Sequence, residues 1–324
     1  MSDAPLALLV GTSPSSAPLL RSLHTLGFEV IGVDRDPTQL PVDFEIPNSI
    51  YEWDMIAATC KDLEKSQKRI SGVISRASGP GMVSASLFAS RLGLPGYSEI
   101  LAKMANSKTL LFRNLSDLRV PTPTVLRNEG QIVDLIRATG RVVVKPEVPL
   151  VGKKSVSVVS DEFELDSAVA LAERASHNGA AIVQSFIPGD DYALVTYSRG
   201  QEIVWSACFR ELVFSRDNSF FGGGFEYVAT AGASWMEEMV NIAARVLAKW
   251  PSEGTAVFSF RKSGENLYLY EINLGMVGDG LFERYWASIW PDDDPFMREV
   301  LTLLGRETRL PQIGEIGRPL NLGR

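Results

Sequence analysis

The first hundred residues repeat one pattern, in which a short apolar run is followed by an amphipathic segment closed by glycine and then by another apolar run. The segments are, in order, strand-like residues 6–10 (LALLV), helix-like residues 16–26 before Gly27, strand-like residues 28–33 (FEVIGV), strand-like residues 71–75 and helix-like residues 81–92 before Gly93. Short continuous apolar runs are typical of parallel strands buried on both faces, and parallel strands need crossover helices. The alternation therefore predicts an open, mostly parallel α/β sheet.

The turn after the first strand excludes the most familiar use of such a unit, dinucleotide binding. Asp34 ends the second strand, where a dinucleotide-binding unit carries an acid, but residues 11–16 read GTSPSS and not GxGxxG. Two of the three glycines that let a pyrophosphate approach the backbone are missing. We interpret this unit as a structural α/β domain that contributes to a substrate cleft at its strand ends.

Composition narrows the class of protein. The chain has 324 residues, enough for about two domains, and 45% hydrophobic with 22% charged residues is ordinary for a globular protein. It carries 32 basic and 39 acidic residues, a net charge of −7, without a basic stripe, which argues against nucleic acid and anionic membranes as partners. No apolar run approaches 18 residues and the N-terminus lacks a basic signal-peptide region, so we expect a cytoplasmic protein.

Cysteine and histidine are scarce. Cys60 and Cys208 lie far apart in apolar surroundings and are interpreted as reduced core residues. His24 and His177 are the only histidines, which excludes a multi-histidine metal centre and leaves little room for a nucleophile activated by histidine. The chemistry must use carboxylates, lysines, amides and the backbone.

Beyond residue 100 the pattern changes to a second, differently built region. A helix opens at Ser107-Lys108, and the alternating prolines of residues 120–123 (VPTP) predict an extended hinge. The further elements expected are strands at 141–144, 155–159 and 180–183, a helix at 163–174, and a hairpin of 256–260 with 267–272. In the last strand Glu271 and Asn273 lie two residues apart, so their side chains share a face. Lys145 ends a buried strand and therefore needs an anionic partner.

Six motifs in this order resemble the ATP-grasp superfamily: SK…VPTP, VVVKP, a glycine-bearing loop, VQSFIPGDDY, FGGGFEY and YLYEIN. The resemblance covers roughly residues 70–290. It implies an N-terminal Rossmann-like (pre-ATP-grasp) α/β domain followed by an α+β ATP-grasp fold with a mobile lid subdomain. The implied boundaries are an N-terminal domain at 1–98, a connecting helix and hinge at 99–123, a lid at 124–187, and a C-terminal subdomain with an irregular tail at 188–324.

The resemblance also assigns roles to residues. Lys108 and Lys145 stand where the family keeps two lysines that contact phosphate, and Lys153 and Lys154 lie in the loop that would cover the phosphates. The adenine site would comprise Gln184, Ser185 and Ile187. Asp191 would hold the ribose hydroxyls, and Glu271 with Asn273 would hold Mg²⁺, Asn273 also contacting the nucleotide. Carboxylate and amide oxygens suit this ion.

Three departures from the family pattern are visible. Ser259 occupies the position of a second magnesium-binding acid, the lid loop has a single glycine (Gly152), and no arginine follows Asn273. Arg210, Arg261 and Arg284 are candidates to replace that arginine, and the sequence does not choose among them. Residues 222–224 (GGG) are expected to form a mobile loop at the substrate cleft.

The resemblance implies an ATP-dependent carboxylate–amine ligase that uses ATP and Mg²⁺, joins a small-molecule acid to an amine through an acylphosphate, and releases ADP and phosphate. By analogy we expect a homodimer. Two alternatives stay open. One is a bicarbonate-activating carboxylase or an enzyme of the carbamoyl-phosphate type. The other is a non-catalytic nucleotide-binding protein on a decayed scaffold, as the three departures suggest.

Overall fold

The structure is a computed structural model, which describes residues 4–50, 52, 69–76, 79–126, 128–149, 155–216, 219–228, 233–276, 280–306 and 321–322. These are called the described residues below. No helix among them is long and apolar enough to cross a membrane.

The N-terminal unit is built on a parallel four-stranded sheet with the strand order β3-β2-β1-β4. Its strands are β1 (Leu6–Val10), β2 (Glu29–Asp34), β3 (Phe44–Pro47) and β4 (Ile70–Ser75). Its helices are α1 (Ala17–Thr25) and α2 (Pro80–Leu92). Every residue of β1 is buried, as its continuous apolar run predicts. The predicted α/β alternation is present, and β3 is an edge strand that the sequence pattern did not reveal.

The second region is built on a ten-stranded sheet with the order β13-β12-β9-β10-β11-β7-β6-β8-β5, and β14 pairs with β11. Its strands are β5 (Val125–Leu126), β6 (Val142–Pro146), β7 (Ser157–Val159), β8 (Ala181–Ser185), β9 (Asp190–Arg199), β10 (Glu202–Arg216), β11 (Ser219–Tyr227), β12 (Gly254–Ser263), β13 (Asn266–Leu274) and β14 (Asn321–Leu322). The remaining helices are α3 (Glu99–Asn106), α4 (Lys108–Asp117), α5 (Glu129–Thr139), α6 (Leu165–Arg174), α7 (Ser234–Lys249), α8 (Leu281–Ile289) and α9 (Pro295–Leu303).

The apolar core is divided into two clusters. The larger cluster joins the N-terminal sheet to strands β9, β10, β12 and β13 and to their covering helices. The smaller cluster is formed by residues of α5, β6, β7, α6 and β8, among them Ile136, Val144 and Val183. The segment from α5 to β8 thus packs around a core of its own and joins the rest through the pairing of β7 with β11 and through the chain connections at its two ends.

One expectation about an irregular segment was wrong. Residues 222–224 lie inside strand β11, where Gly224 pairs with Leu212 and Gly222 with Val213. Gly223 is therefore the extra residue of a β-bulge and not part of a loop. In the tail, Asn321–Leu322 pairs antiparallel with Phe225 and Glu226 of β11.

Candidate functional site

A β-bulge in strand β13 decides which side chains reach the cleft. Ser259 of β12 pairs with Glu271 and the next residue, Phe260, pairs with Leu269, so Tyr270 is the extra residue. Leu269 and Ile272 are both fully buried although they are three residues apart. The half-buried residues Tyr268, Tyr270, Glu271 and Asn273 consequently share the other face.

Glu271 is paired with the first lysine of the predicted phosphate site. Lys108 Nζ donates to Glu271 Oε1 at 3.1 Å, and the Lys108 side chain is only 8% exposed. Lys108 is the first residue of helix α4, and Ser107 caps this helix because its side chain accepts from the Leu110 amide.

The start of α4 is held a second time by Glu147, a buried residue to which the sequence had assigned no role. Its carboxylate accepts from the Ser107 hydroxyl at 2.5 Å and from the Thr109 hydroxyl and amide at 2.8 and 3.1 Å. A carboxylate at a helix N-terminus is favoured by the helix dipole. Because Glu147 follows strand β6 directly, it fixes Lys108 relative to Lys145 on that strand.

Lys145 reaches the same place from the other side of the cleft. Its ammonium lies 5.0 Å from the centre of the Tyr270 ring, a cation–π distance. Burial, followed by the charge of Lys108, lowers the pKa of Lys145 from 10.5 to about 8, and the charges of Glu271 and Asp191 offset part of the effect. Tyr270 was not singled out from the sequence, although the motif YLYEIN contains it.

Gln184 shares a face with Lys145, since Gln184 pairs with Val143 and Ile182 pairs with Lys145 across β8 and β6. That face points away from the smaller core cluster. The Gln184 side chain is 3% exposed and its Oε1 has no hydrogen-bond partner among the described residues. A buried acceptor without a partner is costly, and the amino group of an adenine would satisfy it.

The residues after Gln184 are tied down by backbone contacts. The Ser185 amide donates to the Thr124 carbonyl at 2.9 Å, and the Ser185 hydroxyl accepts from the Thr124 amide at 3.1 Å. Arg261 donates to the carbonyls of Ile187 and Gly189 at 3.2 and 3.3 Å. The connection between β8 and β9 is therefore fixed to strand β12.

Asp191, which was expected to bind ribose, forms an ion pair with Arg261 in this structure. Arg261 Nε and Nη2 donate to the two carboxylate oxygens of Asp191 at 2.7 and 2.8 Å, and Asp191 is 7% exposed. This bidentate geometry is the strongest that an arginine and a carboxylate can form. Arg261 thus orients the connection and does not stand free beside Lys108 and Lys145.

The two other candidate arginines, Arg210 and Arg284, do not lie with Lys108 and Lys145. Asp191 pairs across the sheet with Glu211 of β10 and Arg210 pairs with Tyr192, so Arg210 points to the opposite face from Asp191. Its partner is Asp190, at 3.0 Å, and both side chains are exposed. Arg284 is exposed at the start of α8, where its Nε donates to the Gly280 carbonyl at 3.2 Å.

The two residues expected to hold magnesium lie on one face of β13 and supply a single carboxylate. Glu271 and Asn273 share a face, and the neutral Ser259 hydroxyl lies directly opposite Glu271. No group of three acidic, histidine or cysteine side chains suited to a metal exists among the described residues. One carboxylate with an amide oxygen still fits Mg²⁺, which takes its other ligands from phosphates and water.

Asp34 and Cys208, which were also singled out from the sequence, both have structural roles. Asp34 accepts from the Thr12 amide at 2.8 Å and from the Arg35 amide at 2.7 Å, which is a structural role. Cys208 is a buried free cysteine, and burial raises the pKa of its thiol to about 12. Cys60, Lys153 and Lys154 lie outside the described residues.

Comparison with solved structures finds this architecture in several ligases. N5-carboxyaminoimidazole synthetase of Staphylococcus aureus, solved with ADP, matches with a TM-score of 0.71 at 14% identity, over 98% of this chain and 80% of that one. L-amino acid ligase of Bacillus licheniformis matches with a TM-score of 0.69 at 19% identity, over 93% and 74%. D-alanine–D-alanine ligase of Bacillus anthracis matches with a TM-score of 0.63 at 14% identity, over 93% and 97%.

These identities are low, so the likeness to solved structures shows the fold alone. A family model described as the ATP-grasp domain matches residues 105–274, slightly more than half of the chain. That range begins just before Lys108 and ends just after Asn273, and so contains the lysines, Gln184, Asp191 and Glu271. The chain belongs to the ATP-grasp family.

Proposed function

We propose that the protein is an ATP-dependent carboxylate–amine ligase that releases ADP and phosphate. The observation that carries the proposal is the convergence of Lys108, Lys145 and Glu271, from helix α4 and strands β6 and β13, on one cleft beside Gln184. Two cations and one carboxylate, on the same side as a buried amide oxygen without a partner among the described residues, complement the charges of a magnesium nucleotide. Ligases are among the solved proteins that share the fold.

In the proposed reaction an oxygen of the substrate carboxylate attacks the γ-phosphorus of ATP, and ADP leaves. The amine nitrogen then attacks the acyl carbon of the acylphosphate, phosphate leaves, and the amine loses its proton to phosphate or solvent. Lys108 and Lys145 hold the phosphates and offset the charge that develops during transfer. Glu271 and Asn273 would hold Mg²⁺, which would offset the negative charge of the phosphates.

The segment from α5 to β8 would act as the lid. It carries Lys145 and Gln184 on one face and packs around the separate small core on the other. Movement of this segment about residues 120–123 and 186–190 would bring both side chains onto the nucleotide and exclude water. The contacts of Arg261 with the second of these connections would set its rest position.

The experiment is a calorimetric titration of the full-length chain with ATP, with and without Mg²⁺, followed by a screen of acid and amine pairs for ADP release. We expect ATP binding that is stronger with Mg²⁺ and that loses this dependence in Glu271→Ala. Glu162→Ala, which removes an exposed glutamate paired with Arg137 on the same lid segment, is the matched control and should leave binding unchanged. Absence of ATP binding under both conditions would refute the proposal.

One observation favours a second candidate, a non-catalytic nucleotide-binding protein. Ser259 leaves Glu271 as the sole carboxylate of the expected pair, and Lys108 already pairs with Glu271. This candidate predicts ATP binding that is indifferent to Mg²⁺, with no ADP release for any acid and amine. A bicarbonate-activating enzyme would instead release ADP with bicarbonate and incorporate its labelled carbon.

A further inference from the structure

The bulge in strand β13 adds an aromatic side chain to the face that carries the carboxylate expected to hold magnesium. Arg261 of β12 pairs with Tyr268 of β13, and Ser259 of β12 pairs with Glu271. Tyr270 is the extra residue between these two pairs. A regular strand would direct neighbouring residues to opposite faces, whereas the bulge directs Tyr270 and Glu271 to the same face. The phenol and the carboxylate therefore stand side by side in the cleft.

Tyr270 also lies between the residue expected to bind ribose and the residue expected to hold magnesium. Asp191 pairs with Arg261 across β9 and β12, and so continues the first of the two pairs across the sheet. The row of Asp191 and the row of Glu271 are two residues, or about 7 Å, apart along the strands. In a nucleotide bound between these rows, the stretch from the ribose to the metal ion is occupied by phosphates.

The ring of Tyr270 and its hydroxyl are held among charged groups. The ammonium of Lys145 lies 5.0 Å from the centre of the ring, which is within the range of a cation–π contact. Burial, followed by the charges of Asp191 and Glu271, raises the pKa of the Tyr270 phenol. The two carboxylates that act on the phenol thus belong to the two rows between which it lies.

Ser259 is hydrogen-bonded to the phenol. The hydrogen bond offsets part of the rise in the pKa of Tyr270, which is the direction expected when the serine hydroxyl donates. Ser259 is 8% exposed, so this contact is buried. A phenol that accepts one hydrogen bond still has its own hydrogen to donate. A carboxylate at position 259 would accept that hydrogen, whereas the serine leaves it for a ligand.

We infer that Tyr270 contacts a phosphate of the nucleotide through its hydroxyl, and that Ser259 positions the phenol for this contact. The phosphate is one of the two nearest the ribose, because the phenol lies between the row of Asp191 and the row of Glu271. A hydroxyl donor to a charged phosphate oxygen makes one of the stronger hydrogen bonds in proteins. The inference rests on the nucleotide site of the proposed function, and it applies to both of the candidate functions given there.

The test measures the affinities of adenosine, AMP and ADP for the full-length chain with Mg²⁺, by displacement of a fluorescent ATP analogue. Tyr270→Phe keeps the ring and its contact with Lys145 and removes only the hydroxyl. ADP should bind about tenfold more weakly to this variant, as loss of a hydrogen bond to a charged group requires. Adenosine, which has no phosphate, should bind within about twofold of its wild-type affinity. A loss already present with AMP assigns the contact to the first phosphate, and a loss that begins with ADP assigns it to the second.

Two further variants separate positioning from contact. Ser259→Ala alone should weaken ADP about threefold, and in the Tyr270→Phe background it should have no further effect, because the hydroxyl that it positions is absent. Tyr192→Phe is the matched control. Tyr192 pairs with Arg210 on the opposite face of the same sheet, so loss of its hydroxyl should change no nucleotide affinity. Tyr270→Phe should unfold at the same Tm as the wild type in the absence of nucleotide.

The outcomes distinguish this inference from the proposed function. Equal ADP affinities of the wild type and Tyr270→Phe would overturn the inference. It would also be overturned if adenosine lost as much affinity as ADP, since the hydroxyl would then act on the base, the sugar or the fold. Additive effects of Ser259→Ala and Tyr270→Phe would overturn the positioning role of Ser259. A wild-type protein that binds neither the ATP analogue nor ADP would overturn the proposed function itself.

Discussion

Lys108 Nζ donates to Glu271 Oε1 across 163 residues of sequence, and so joins the first residue of helix α4 to the bulged strand β13. The cation expected to meet phosphate and the carboxylate expected to meet magnesium satisfy each other in the free protein. The pairing of opposite charges offsets the cost of holding both in a partly buried position. The pairing holds both side chains in place before a nucleotide arrives.

This pairing predicts opposite effects of one substitution. In Lys108→Gln the carboxylate of Glu271 loses its cation, so Mg²⁺ alone should bind several-fold more tightly, whereas ATP should bind about tenfold more weakly because a phosphate contact is gone. Calorimetric titrations with MgCl₂ and with ATP measure the two affinities. Lys103→Gln, which removes an exposed pair with Glu99 on the preceding helix, should change neither. A parallel fall of both affinities would contradict the prediction.

The lowered pKa of Lys145 predicts a pH dependence of ATP binding. With a pKa of about 8 in the free protein, Lys145 loses its positive charge between about pH 7 and 9, and ATP affinity should fall across that window. In Lys145→Arg the guanidinium stays protonated, so the decline should be much smaller. A wild-type affinity that stays constant from pH 7 to 9 would disprove the assignment.

The same lowered pKa acts on stability with the other sign. Between about pH 8 and 10.5 the unfolded chain binds more protons at Lys145 than the folded chain does. The contribution of this residue to the free energy of unfolding therefore rises with pH in that interval. Urea unfolding of the wild type and of Lys145→Met, compared at pH 8 and pH 10, measures this contribution of Lys145 to the free energy of unfolding. The stability difference between the two proteins should shift in favour of the wild type at the higher pH.

Arg261 is predicted to act as a positioning residue for the nucleotide. Arg261→Lys keeps the charge but loses the fork that holds Asp191 and the carbonyls of Ile187 and Gly189. ATP affinity should fall about tenfold, while the affinity for the acid stays unchanged. Arg298→Lys is a close control, because Arg298 makes a similar two-pronged contact with Asp293. Equal losses of ATP affinity in the two variants would show a general loss of stability instead.

Ser259→Asp is predicted to strengthen magnesium binding. The residue pairs directly with Glu271, so the variant places two carboxylates side by side where one now stands, close to two lysines. The concentration of Mg²⁺ needed for half-maximal ATP binding should drop at least several-fold. Ser259→Asn has nearly the same shape without the charge and should behave like the wild type. An unchanged requirement in Ser259→Asp would exclude this face of the hairpin as the metal site.

The sequence was informative wherever a residue type and its spacing imply one local geometry. Short apolar runs predicted β1, β2 and β4, and the two-residue spacing of Glu271 and Asn273 predicted that they share a face. The order of the motifs was sufficient to identify the family. In each case the information is local or lies in a pattern along the chain.

The unpredicted features depend on partners distant in sequence. Asp191 directly follows residues that look like a turn, and nothing nearby in the sequence shows that Arg261, 70 residues later, donates to its carboxylate. From the sequence Arg210 is a plausible phosphate ligand. The register of β9 and β10, however, places it on the face of the sheet opposite to Asp191. The long strands β10 and β11 were missed because residues 222–224 suggest a loop, whereas a bulge at Gly223 keeps all three glycines within β11.

Because Tyr270 is an extra residue in β13, the side chains that line the cleft depend on how the residues of this strand are paired as well as on which residues they are. If Tyr270 stayed in the strand without the bulge, strict alternation from Leu269 would direct Glu271 and Asn273 into the apolar core and expose Ile272 to the nucleotide. The bulge places Tyr270 and Glu271 on the same face and so keeps every later side chain of the strand on its observed face. Deletion of Tyr270 would leave Glu271 and Asn273 on the cleft face, because the strand would then alternate regularly from Leu269, and would remove the ring that lies against Lys145. A redesign of this hairpin that retains all of its residues therefore has to retain the bulge.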